Sequence, residues 1–363
     1  MPCFITHTGS FLPGNPVSNE DIEKHLGSLD SESEVKRSVL RMNGITSRHY
    51  AQDENQQPTS DVYAMACEAI GNCLAKRGRG ADTMPVSFLS AGTTYAPLGG
   101  PGMCSILHDQ LSQRNLITGS TEISSHAGIC TSAAAALVAA CRAVAAGEHD
   151  AAICVGSEHP SSALKAEAID PIDDRDQHSE LRRSQWFMTV FLRFMLSDGS
   201  GAFLLANQPK PDGLSLQVDW SESRSFAHET PLCMKLENQG VRLSQDINIL
   251  SKYLVPIARK FTADVMQRRN ETLDNYRMIL PHLSSFFFRK KMERVMKEFT
   301  TNGEPSYWTN LGTAGNTGAA SIYIMLDHFL AEHSLADGDR ILLFIPESGQ
   351  FNFVMVSLTA VVK

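Results

Sequence analysis

The spacing of apolar positions changes repeatedly along the chain, and it predicts an alternation of strands and helices. Residues 60–76 place their apolar side chains on one face at helical spacing, whereas residues 4–12 form a short strand-like run. A second helical segment, 131–146, is small or apolar on most faces, which predicts a buried helix. The strand-like run 150–158 follows it directly. A strand-like lead-in, a helix and a strand in this order are typical of a βαβ unit in an α/β fold.

The second part of the chain shows a similar alternation. A polar, proline-bearing break at 207–211 is the best candidate boundary, and it divides the chain into halves of residues 1–206 and 207–363. Glycines and small residues lead into a helix at 312–321, as they do at 126–137, which suggests an internal repeat. The other elements predicted for the second half are a strand at 214–218, a helix at about 249–267, a strand at 276–282, a basic helix at 286–299, a short strand near 307–308 and strands at 340–345 and 353–362.

The composition is that of a globular protein with enough apolar residues for a large core. The 363 residues are 42% hydrophobic and 20% charged, with a formal net charge of −8. This negative charge argues against general nucleic-acid binding, because phosphates need positive partners. No apolar run approaches the roughly 20 residues that cross a bilayer, and the first residues lack the pattern of a signal peptide. We therefore expect a cytoplasmic protein without membrane or nucleic-acid partners.

The eight cysteines form no C-x-x-C pair, which predicts free thiols in a reducing compartment and no zinc-type site. One of them, Cys130, lies where a strand-like lead-in gives way to the helix at 131–146. In the first turn of a helix, free N–H groups and the helix dipole favour a thiolate and can hold an oxyanion. The alternative interpretation, and the commoner situation for a cysteine, is a small buried apolar residue.

Two further residues stand where they could complete a reactive site with this cysteine. His282 ends an apolar strand directly after Pro281, and Asn316 lies between glycines just before a small-residue helix. A neutral asparagine, unlike a carboxylate, leaves a nearby histidine uncharged and able to donate a hydrogen bond. Cysteine, histidine and asparagine together constitute a candidate site for covalent acyl transfer.

Seven short motifs follow one another along the chain. They are TGSFLP at 8–13, GITSRH at 44–49, ICTSA at 129–133, VGSE at 155–158, LSDGSGA at 196–202, LPH at 280–282 and GNTGAAS at 315–321. In these motifs, their order and their spacing, the chain resembles the β-ketoacyl-ACP synthase III family of thiolase-fold condensing enzymes along essentially its whole length. Each motif is weak by itself, whereas the ordered set is specific.

The resemblance implies a thiolase-like α/β fold, with two pseudo-repeated βαβαβαββ halves in a five-layer αβαβα arrangement. It implies that Cys130 carries the acyl group, and that His282 and Asn316 stabilise the enolate formed when a malonyl-type thioester loses carbon dioxide. The N–H groups of Cys130 and Gly349 would form the oxyanion hole. It further implies acyl-CoA or an acyl carrier protein as partners, CoA or phosphopantetheine thioesters as substrates, no tightly bound cofactor or metal, and a homodimer.

The chain departs from the housekeeping members of the family at three places. Residues 283–285 are Leu-Ser-Ser after His282, where Gln-Ala-Asn is usual, and the loop at 346–351 lacks a triple glycine. The tryptophan expected before Arg41 is also absent. These departures argue against priming with acetyl-CoA. They favour a specialised relative of secondary metabolism, including the type that makes cyclohexanediones on the way to dialkylresorcinols.

Positive charge is concentrated in the predicted basic helix that follows His282. This helix is expected either to dock an acidic carrier protein or the phosphates of CoA, or to be simply a solvated face. Arg41 matches a cofactor-contacting arginine of the family. The predicted contacts with CoA or the carrier protein are Arg41, Arg289, Lys290 and Arg294. The apolar run 186–194 is expected to pack in the core, with an acyl tunnel or a dimer contact as the alternatives.

The leading hypothesis is a decarboxylating Claisen condensing enzyme. The runner-up is a thiolase-fold acyltransferase that moves the acyl group from Cys130 to an alcohol or amine. Because relatives of that type often replace the asparagine, Asn316 favours condensation. A third hypothesis is a non-catalytic partner subunit of a heterodimeric synthase, against which the intact cysteine, histidine and asparagine argue.

Overall fold

The computed structural model describes residues 1–29, 33–77, 85–169, 180–237, 242–301, 303 and 305–363. In the first half the elements are β1 (Phe4–Phe11), β2 (Val17–Ser18), α1 (Ile22–Leu26), α2 (Ser33–Asn43), β3 (Ser47–Arg48), α3 (Val62–Ala75), β4 (Phe88–Thr93), α4 (Met103–Gln113), β5 (Glu122–Ala127), α5 (Ser132–Ala146), β6 (Ala151–Glu158), α6 (Glu180–Arg193) and β7 (Gly199–Ala206).

In the second half the elements are β8 (Leu214–Ser225), β9 (Met234–Glu237), β10 (Arg242–Gln245), α7 (Ile247–Arg269), β11 (Met278–Pro281), α8 (Arg289–Lys297), α9 (Leu311–Ala314), α10 (Ser321–Glu332), β12 (Arg340–Pro346) and β13 (Asn352–Val362). Short 3-10 turns occur at Pro160–Ala163, Ala166–Ala168, Leu273–Asn275, Phe286–Phe288 and Gly318–Ala320.

A nine-stranded mixed sheet joins the two halves, with the strand order β11-β12-β13-β8-β1-β7-β6-β4-β5. The joint is the antiparallel pairing of β1 with β8, in which Ile5 stands opposite Leu216. On one side of this joint β7 and β6 run antiparallel and β6, β4 and β5 run parallel. On the other side β13 and β12 are antiparallel and β12 and β11 are parallel. The sheet therefore repeats one arrangement of strands on either side of the joint.

Chain order repeats as well. In the first half β1, α3, β4, α5, β6 and β7 follow one another, and in the second half β8, α7, β11, α10, β12 and β13 do so. Each half thus places a long helix after its first strand and another before its last two strands. This arrangement confirms the internal repeat predicted from the small-residue helix entries at 126–137 and 312–321.

Three hydrophobic cores place helices on both faces of the two parts of the sheet. Helices α3 and α4 pack on β4, β6 and β7. Helices α5 and α10 form a central core with residues of both parts of the sheet. Helices α2, α6, α7 and α8 cover β11, β12 and β13. Because successive strand residues face opposite sides, Leu343 enters the central core while Leu342 and Phe344 face α7. The five-layer αβαβα prediction is confirmed.

Glycine allows the central helices to approach the sheet closely. A Cβ at Gly92, in β4, would lie 2.4 Å from the backbone nitrogen of Ala133, in the first turn of α5. A Cβ at Gly201, in β7, would lie 2.5 Å from Cβ of Tyr323 in α10. Real Cβ atoms do not tolerate such distances, so these glycines fix how near each helix lies to its strand.

Most differences between the predicted and observed elements concern type or extent. The apolar run 186–194 belongs to helix α6, and β8 extends to Ser225, well beyond the predicted 218. The short strand expected near 307 is only an isolated bridge between Ile279 and Tyr307. The hairpin of β9 and β10 was not predicted. Among the described helices, none has both the length and the apolar character needed to span a membrane.

Candidate active site

Cys130 lies in the corner between β5 and α5, two residues before the helix begins. The carbonyl of Ile129 accepts hydrogen bonds from the backbone nitrogen of Ser132 (3.2 Å) and from its hydroxyl (3.0 Å), which closes the corner. The N-cap residue, Thr131, donates its backbone N–H to the carboxylate of Glu347 at 3.0 Å and its hydroxyl to the same oxygen. Cys130 is thus held between the end of a strand and a helix whose N-cap N–H already has an acceptor.

The surroundings of Cys130 favour the thiol. Burial raises the pKa of its thiol well above the usual range, and the nearby carboxylates of Glu347 and Glu158 raise it further. The prediction that the helix start would favour a thiolate is therefore wrong. Its physical reason is that Cys130 precedes α5, and that desolvation and two acidic neighbours outweigh the effect of the dipole.

His282 follows the last residue of β11 and is 5% exposed. Its backbone nitrogen donates to the carbonyl of Phe344 at 2.8 Å, which fixes the strand end against β12. Within the described part of the chain neither ring nitrogen has a hydrogen-bond partner. Burial lowers the pKa of His282 to about 4, so the imidazole is neutral and one ring N–H is available to a ligand.

Asn316 is 2% exposed and lies between α9 and α10. Its backbone is anchored on both sides, because its N–H donates to Met195 (3.2 Å) and its carbonyl accepts from Ser197 (2.9 Å). Its side-chain oxygen accepts the N–H of Gly318 at 3.0 Å. With the oxygen engaged in this way, the side-chain NH₂ is the group left to donate to a ligand.

One cavity brings these three side chains together. Cys130, His282 and Asn316 all line it, although they come from the exits or entries of three different elements. The sequence predicted this combination from the residue types at strand ends and helix starts. The topology accounts for their meeting, because Cys130 and Asn316 lie just before α5 and α10, the helices that pack together in the central core, and His282 ends β11 of the same sheet.

Glu158 is an acidic residue of the cavity to which the sequence assigned no role. It ends β6, is 4% exposed, and accepts through one oxygen from the N–H (3.0 Å) and hydroxyl (2.7 Å) of Thr94 and from the N–H of Ala319 (3.2 Å). Burial raises the pKa of its carboxyl to about 7. The signal was present in the sequence, because an acid that ends a largely apolar strand points to a site at the strand exit.

The turn at Gly349 lies directly against the corner between β5 and α5 that contains Cys130. A Cβ at this glycine would stand 2.8 Å from Cγ1 of Ile129 and 2.8 Å from Oε1 of Glu347. The carbonyl of Gly349 accepts from the N–H of Cys233 at 2.9 Å. Among the described residues no carbonyl or carboxylate accepts the N–H of Cys130 or of Gly349. Both groups of the predicted oxyanion hole are therefore without a competing acceptor.

The predicted cationic contacts lie on the outside, near the cavity but not in its lining. Arg289, Lys290 and Arg294 are exposed on α8, and Arg289 pairs with Glu293 at 2.9 Å. Lys291 of this helix lines the cavity; the sequence counted it among the basic residues of the helix but not among the predicted contacts. Arg41 is exposed at the end of α2, which packs on the turn Phe286–Phe288.

The aromatic residues of the run 186–194 include one in the core and one in the wall of the cavity, the two roles proposed from the sequence as core packing and acyl tunnel. Phe194 is fully buried in the core, whereas Phe191 lines the cavity. Within the described ranges, no group of three or more His, Cys, Asp or Glu side chains is placed to hold a metal ion.

Comparison with known proteins agrees with this geometry. Residues 266–346 match the family described as 3-Oxoacyl-[acyl-carrier-protein (ACP)] synthase III C terminal, and residues 103–210 match Beta-ketoacyl synthase, N-terminal domain. A Beta-ketoacyl-[acyl-carrier-protein] synthase III of Acholeplasma laidlawii is 22% identical over 331 residues, which are 90% of this chain and 89% of the relative.

Two solved structures superpose on nearly the whole chain. The tetronic acid condensing enzyme AbyA1 has a TM-score of 0.78 and 18% identity, with 99% of each chain covered. The 3-oxoacyl-(acyl carrier protein) synthase III FabH of Pseudomonas aeruginosa PAO1 has a TM-score of 0.73 and 19% identity, with 99% of this chain and 98% of that chain covered.

The repeated five-layer fold is the fold of the thiolase-type condensing enzymes, and cysteine, histidine and asparagine lie together at one cavity in it. In sequence the chain is similar to the β-ketoacyl-ACP synthase III family, through these family models and curated relatives.

Proposed function

We propose that the protein is a ketosynthase. Cys130 accepts an acyl group from a CoA or carrier-protein thioester, and the enzyme joins it by decarboxylative Claisen condensation to a malonyl- or β-ketoacyl-type thioester. The observation that carries this proposal is that a thiol, a neutral histidine and an anchored asparagine line one cavity.

Acylation needs a nucleophile and a place for negative charge. The sulfur of Cys130 forms a bond to the thioester carbonyl carbon, and the bond from that carbon to the departing sulfur breaks. The N–H groups of Cys130 and Gly349 hold the oxygen of the tetrahedral intermediate. Overall, the proton of the Cys130 thiol ends on the released CoA or pantetheine thiol.

Condensation needs an enolate. Loss of carbon dioxide from the malonyl-type thioester leaves negative charge on its carbonyl oxygen, and His282 and Asn316 donate hydrogen bonds to that oxygen. The carbanion then forms a bond to the acyl carbon on Cys130, the carbon–sulfur bond to Cys130 breaks, and the released thiolate takes up a proton from water to restore the thiol. A neutral His282 suits this role. It donates a hydrogen bond, whereas a charged imidazolium would also be an acid that could protonate the carbanion.

Acyl transfer to an alcohol or amine is the second candidate. It would use the same acyl group on Cys130, and it needs a base for the proton of the acceptor. Glu158 favours it, because this carboxyl lines the cavity and its pKa is raised to about 7, which is suited to accepting a proton near neutral pH. Under this alternative His282 and Asn316 would have no enolate to stabilise.

The outer cations support docking of the thioester carrier. Two helices carry them: α2, with Arg41 near its end, and α8, with Arg289, Lys290 and Arg294. All four side chains are exposed, and both helices contact the turn Phe286–Phe288. We propose that this rim attracts the phosphates of CoA or an acidic carrier protein. All eight cysteines are free thiols, which supports a reducing, cytoplasmic location.

The first test of this function is acyl loading. Intact-protein mass spectrometry after incubation with acyl-CoA or acyl-carrier protein should show one acyl adduct on the wild type and none on Cys130→Ala. Cys233→Ala, which removes a buried thiol outside the cavity lining, is the matched control and should load normally. Absence of an adduct on the wild type would contradict the role given to Cys130.

The second test separates condensation from transfer. Labelled malonyl thioester should release carbon dioxide and yield a β-keto product with the wild type. His282→Ala and Asn316→Ala should each load acyl groups but condense at least about 100-fold more slowly, because each removes one donor to the enolate oxygen. Full condensation by both variants would exclude the enolate role, and transfer to an alcohol without malonyl thioester would favour the second candidate.

A further inference from the structure

The cavity that begins at Cys130 continues into the core of the second half. Including the part that is open to solvent, it holds about 1610 Å³ of space that protein atoms do not occupy. Its lining continues from Cys130 to Leu273 and Val295, so it extends beyond the surroundings of the thiol, His282 and Asn316.

The course of the cavity follows from the way α7 is attached. The N-cap residue of α7, Asp246, donates its N–H to the carbonyl of Cys233 at 2.8 Å, and the N–H of Cys233 donates to Gly349 at 2.9 Å. The ring of Tyr253 lies 5.9 Å from that of Phe351. The start of α7 is thus tied to the turn beside Cys130, and the rest of the helix leads away from the nucleophile.

A stripe along α7 forms one wall of the cavity. Leu250, Leu254, Ala258 and Thr262 all line it, and their spacing of four residues places them on one face of the helix. With a rise of 1.5 Å per residue, twelve residues of helix correspond to about 18 Å. The cavity therefore extends about 18 Å along α7, and it also reaches Leu273 beyond the end of the helix.

The facing wall is the sheet. Phe344 and Pro281 stand side by side next to His282, and Leu342 and Ile279 form the next pair along the same strands. The two pairs lie two residues apart, which is about 7 Å. The cavity thus runs between α7 and the sheet, starting at the strand ends that carry the site.

Along α7, β11 and β12 the described residues of the lining offer no free partner for a polar ligand. This lining is apolar except for Thr262, whose hydroxyl donates to the carbonyl of Ala258 at 2.8 Å. Protein interiors are otherwise close-packed, and an apolar void costs stability in proportion to its volume. An apolar chain is the ligand chemistry that fits such a space.

We propose that this cavity holds the alkyl chain of a long-chain acyl thioester whose acyl group is transferred to Cys130. An extended chain advances about 3.3–3.6 Å for every three bonds, so about 18 Å accommodates about 15 bonds. The substrate class is therefore an unsubstituted acyl group of about 12 to 16 carbons. This inference rests on the proposed acylation of Cys130 and adds the chain length to it.

The test compares acyl-CoA thioesters of 2, 6, 12 and 16 carbons, each below its micellar concentration. The initial rate of adduct formation is measured by intact-protein mass spectrometry. Each buried methylene strengthens binding by about fourfold, so the 12- and 16-carbon thioesters should load at least about tenfold faster than acetyl-CoA. Equal or faster loading of the 2-carbon thioester would overturn the inference.

A plug in the cavity provides the matched comparison. Ala258→Phe fills the stripe, whereas Ala263→Phe places the same side chain on an exposed position of the same helix. Ala258→Phe should lower the ratio of hexadecanoyl to acetyl loading at least about tenfold, by loss of buried methylenes, and Ala263→Phe should not change it. Thr262→Phe is a second plug in case Ala258→Phe does not fold, which acetyl loading and circular dichroism reveal.

The outcomes separate the two proposals. If no thioester of any length acylates the wild type, the proposed function fails. If short thioesters load well and long ones do not, or if both phenylalanine variants behave alike, the chain-length inference fails while the acylation of Cys130 stands.

Discussion

His282 shows how burial can prepare a side chain for one role. The sequence predicted an uncharged histidine because its partner is Asn316 and not a carboxylate. In the structure the cause is broader, since desolvation lowers the pKa of His282 to about 4 and leaves both ring nitrogens unpartnered among the described residues. A histidine in this state donates a hydrogen bond throughout the physiological pH range.

This state of His282 predicts a flat pH profile for enolate formation. Decarboxylation of malonyl thioester should stay constant as pH falls from about 8 to about 5.5, because the imidazole is protonated only near its pKa of about 4. The measurement is carbon dioxide release in Glu158→Gln, which removes the cavity carboxyl that titrates near 7. A decline centred near pH 6.5 would show that His282 titrates as an ordinary histidine.

Glu158 should make the protein less stable as pH rises. Burial raises the pKa of its carboxyl from 4.5 to about 7. The folded protein favours the neutral carboxyl of Glu158. The stability that this preference contributes is therefore complete below pH 4.5 and is lost as pH rises through 7. The shift amounts to about 3 kcal/mol of unfolding free energy.

The comparison that isolates this effect is Glu158→Gln. Its amide oxygen can accept the same N–H groups of Thr94 and Ala319 but carries no charge. Urea unfolding at pH 5 and pH 8.5 should show that the wild type loses up to about 3 kcal/mol more than the variant between the two pH values. An equal loss in both proteins would mean that Glu158 is not responsible.

At the scale of elements, the close contact of β4 with α5 positions Cys130, the proposed nucleophile. Gly92→Ala would place a Cβ 2.4 Å from the backbone of Ala133, so the helix start beside Cys130 must move. We expect a loss of about 1–3 kcal/mol in unfolding free energy, as for overpacking, together with slower acyl loading. Gly99→Ala is the control, because a Cβ there meets no atom within 4 Å. Equal loading by both variants would refute the positioning role of this contact.

The sequence predicted those elements that have a clear period. The helices at 62–75, 132–146 and 247–269 and the strands at 4–11, 151–158, 340–346 and 352–362 were anticipated within a few residues. The hairpin of β9 and β10 was missed because it is short and lacks an apolar alternation of its own. Helix α6 was not assigned a type, since its bulky apolar run near 186–194 fits either a buried helix or a strand.

The candidate site was predictable in its members but not in its electrostatics. Residue type and position pointed to Cys130, His282 and Asn316. The acidic surroundings of the thiol were not predictable, because Glu347 lies 217 positions from Cys130 in the chain and reaches it only through the fold. Likewise, Lys290 and Lys291 are adjacent in the sequence, and only the orientation of α8 determines that Lys291 lines the cavity while Lys290 is exposed.

For the whole molecule, β5 provides the clearest surface for assembly. It is an edge strand of the nine-stranded sheet, and its Ile123 is 41% exposed. Open edge strands invite pairing with another chain. We propose that two copies pair along β5 in the expected homodimer, which would bring the two nucleophile corners next to the interface.

Substitution at this edge tests the homodimer. Ile123→Lys should convert a dimer to a monomer in size-exclusion chromatography with light scattering at micromolar concentration, because it places two charges at the pairing edge. Leu232→Lys, at another exposed apolar residue, is the control and should leave the dimer intact. A wild type that is monomeric, or a dimer insensitive to Ile123→Lys, would count against this interface.

The joint between β1 and β8 has a consequence for how the chain folds. Ile5 pairs with Leu216, and β8 in turn pairs with β13, whose residues 352–362 are synthesised much later. Contacts between residues so distant in sequence form slowly, because the long intervening loop loses conformational entropy before the contacts stabilise it. A nascent chain that has emerged through Cys130 therefore carries the thiol without the histidine or the asparagine. Chemical competence is acquired late in translation, when the second set of strands docks onto the first.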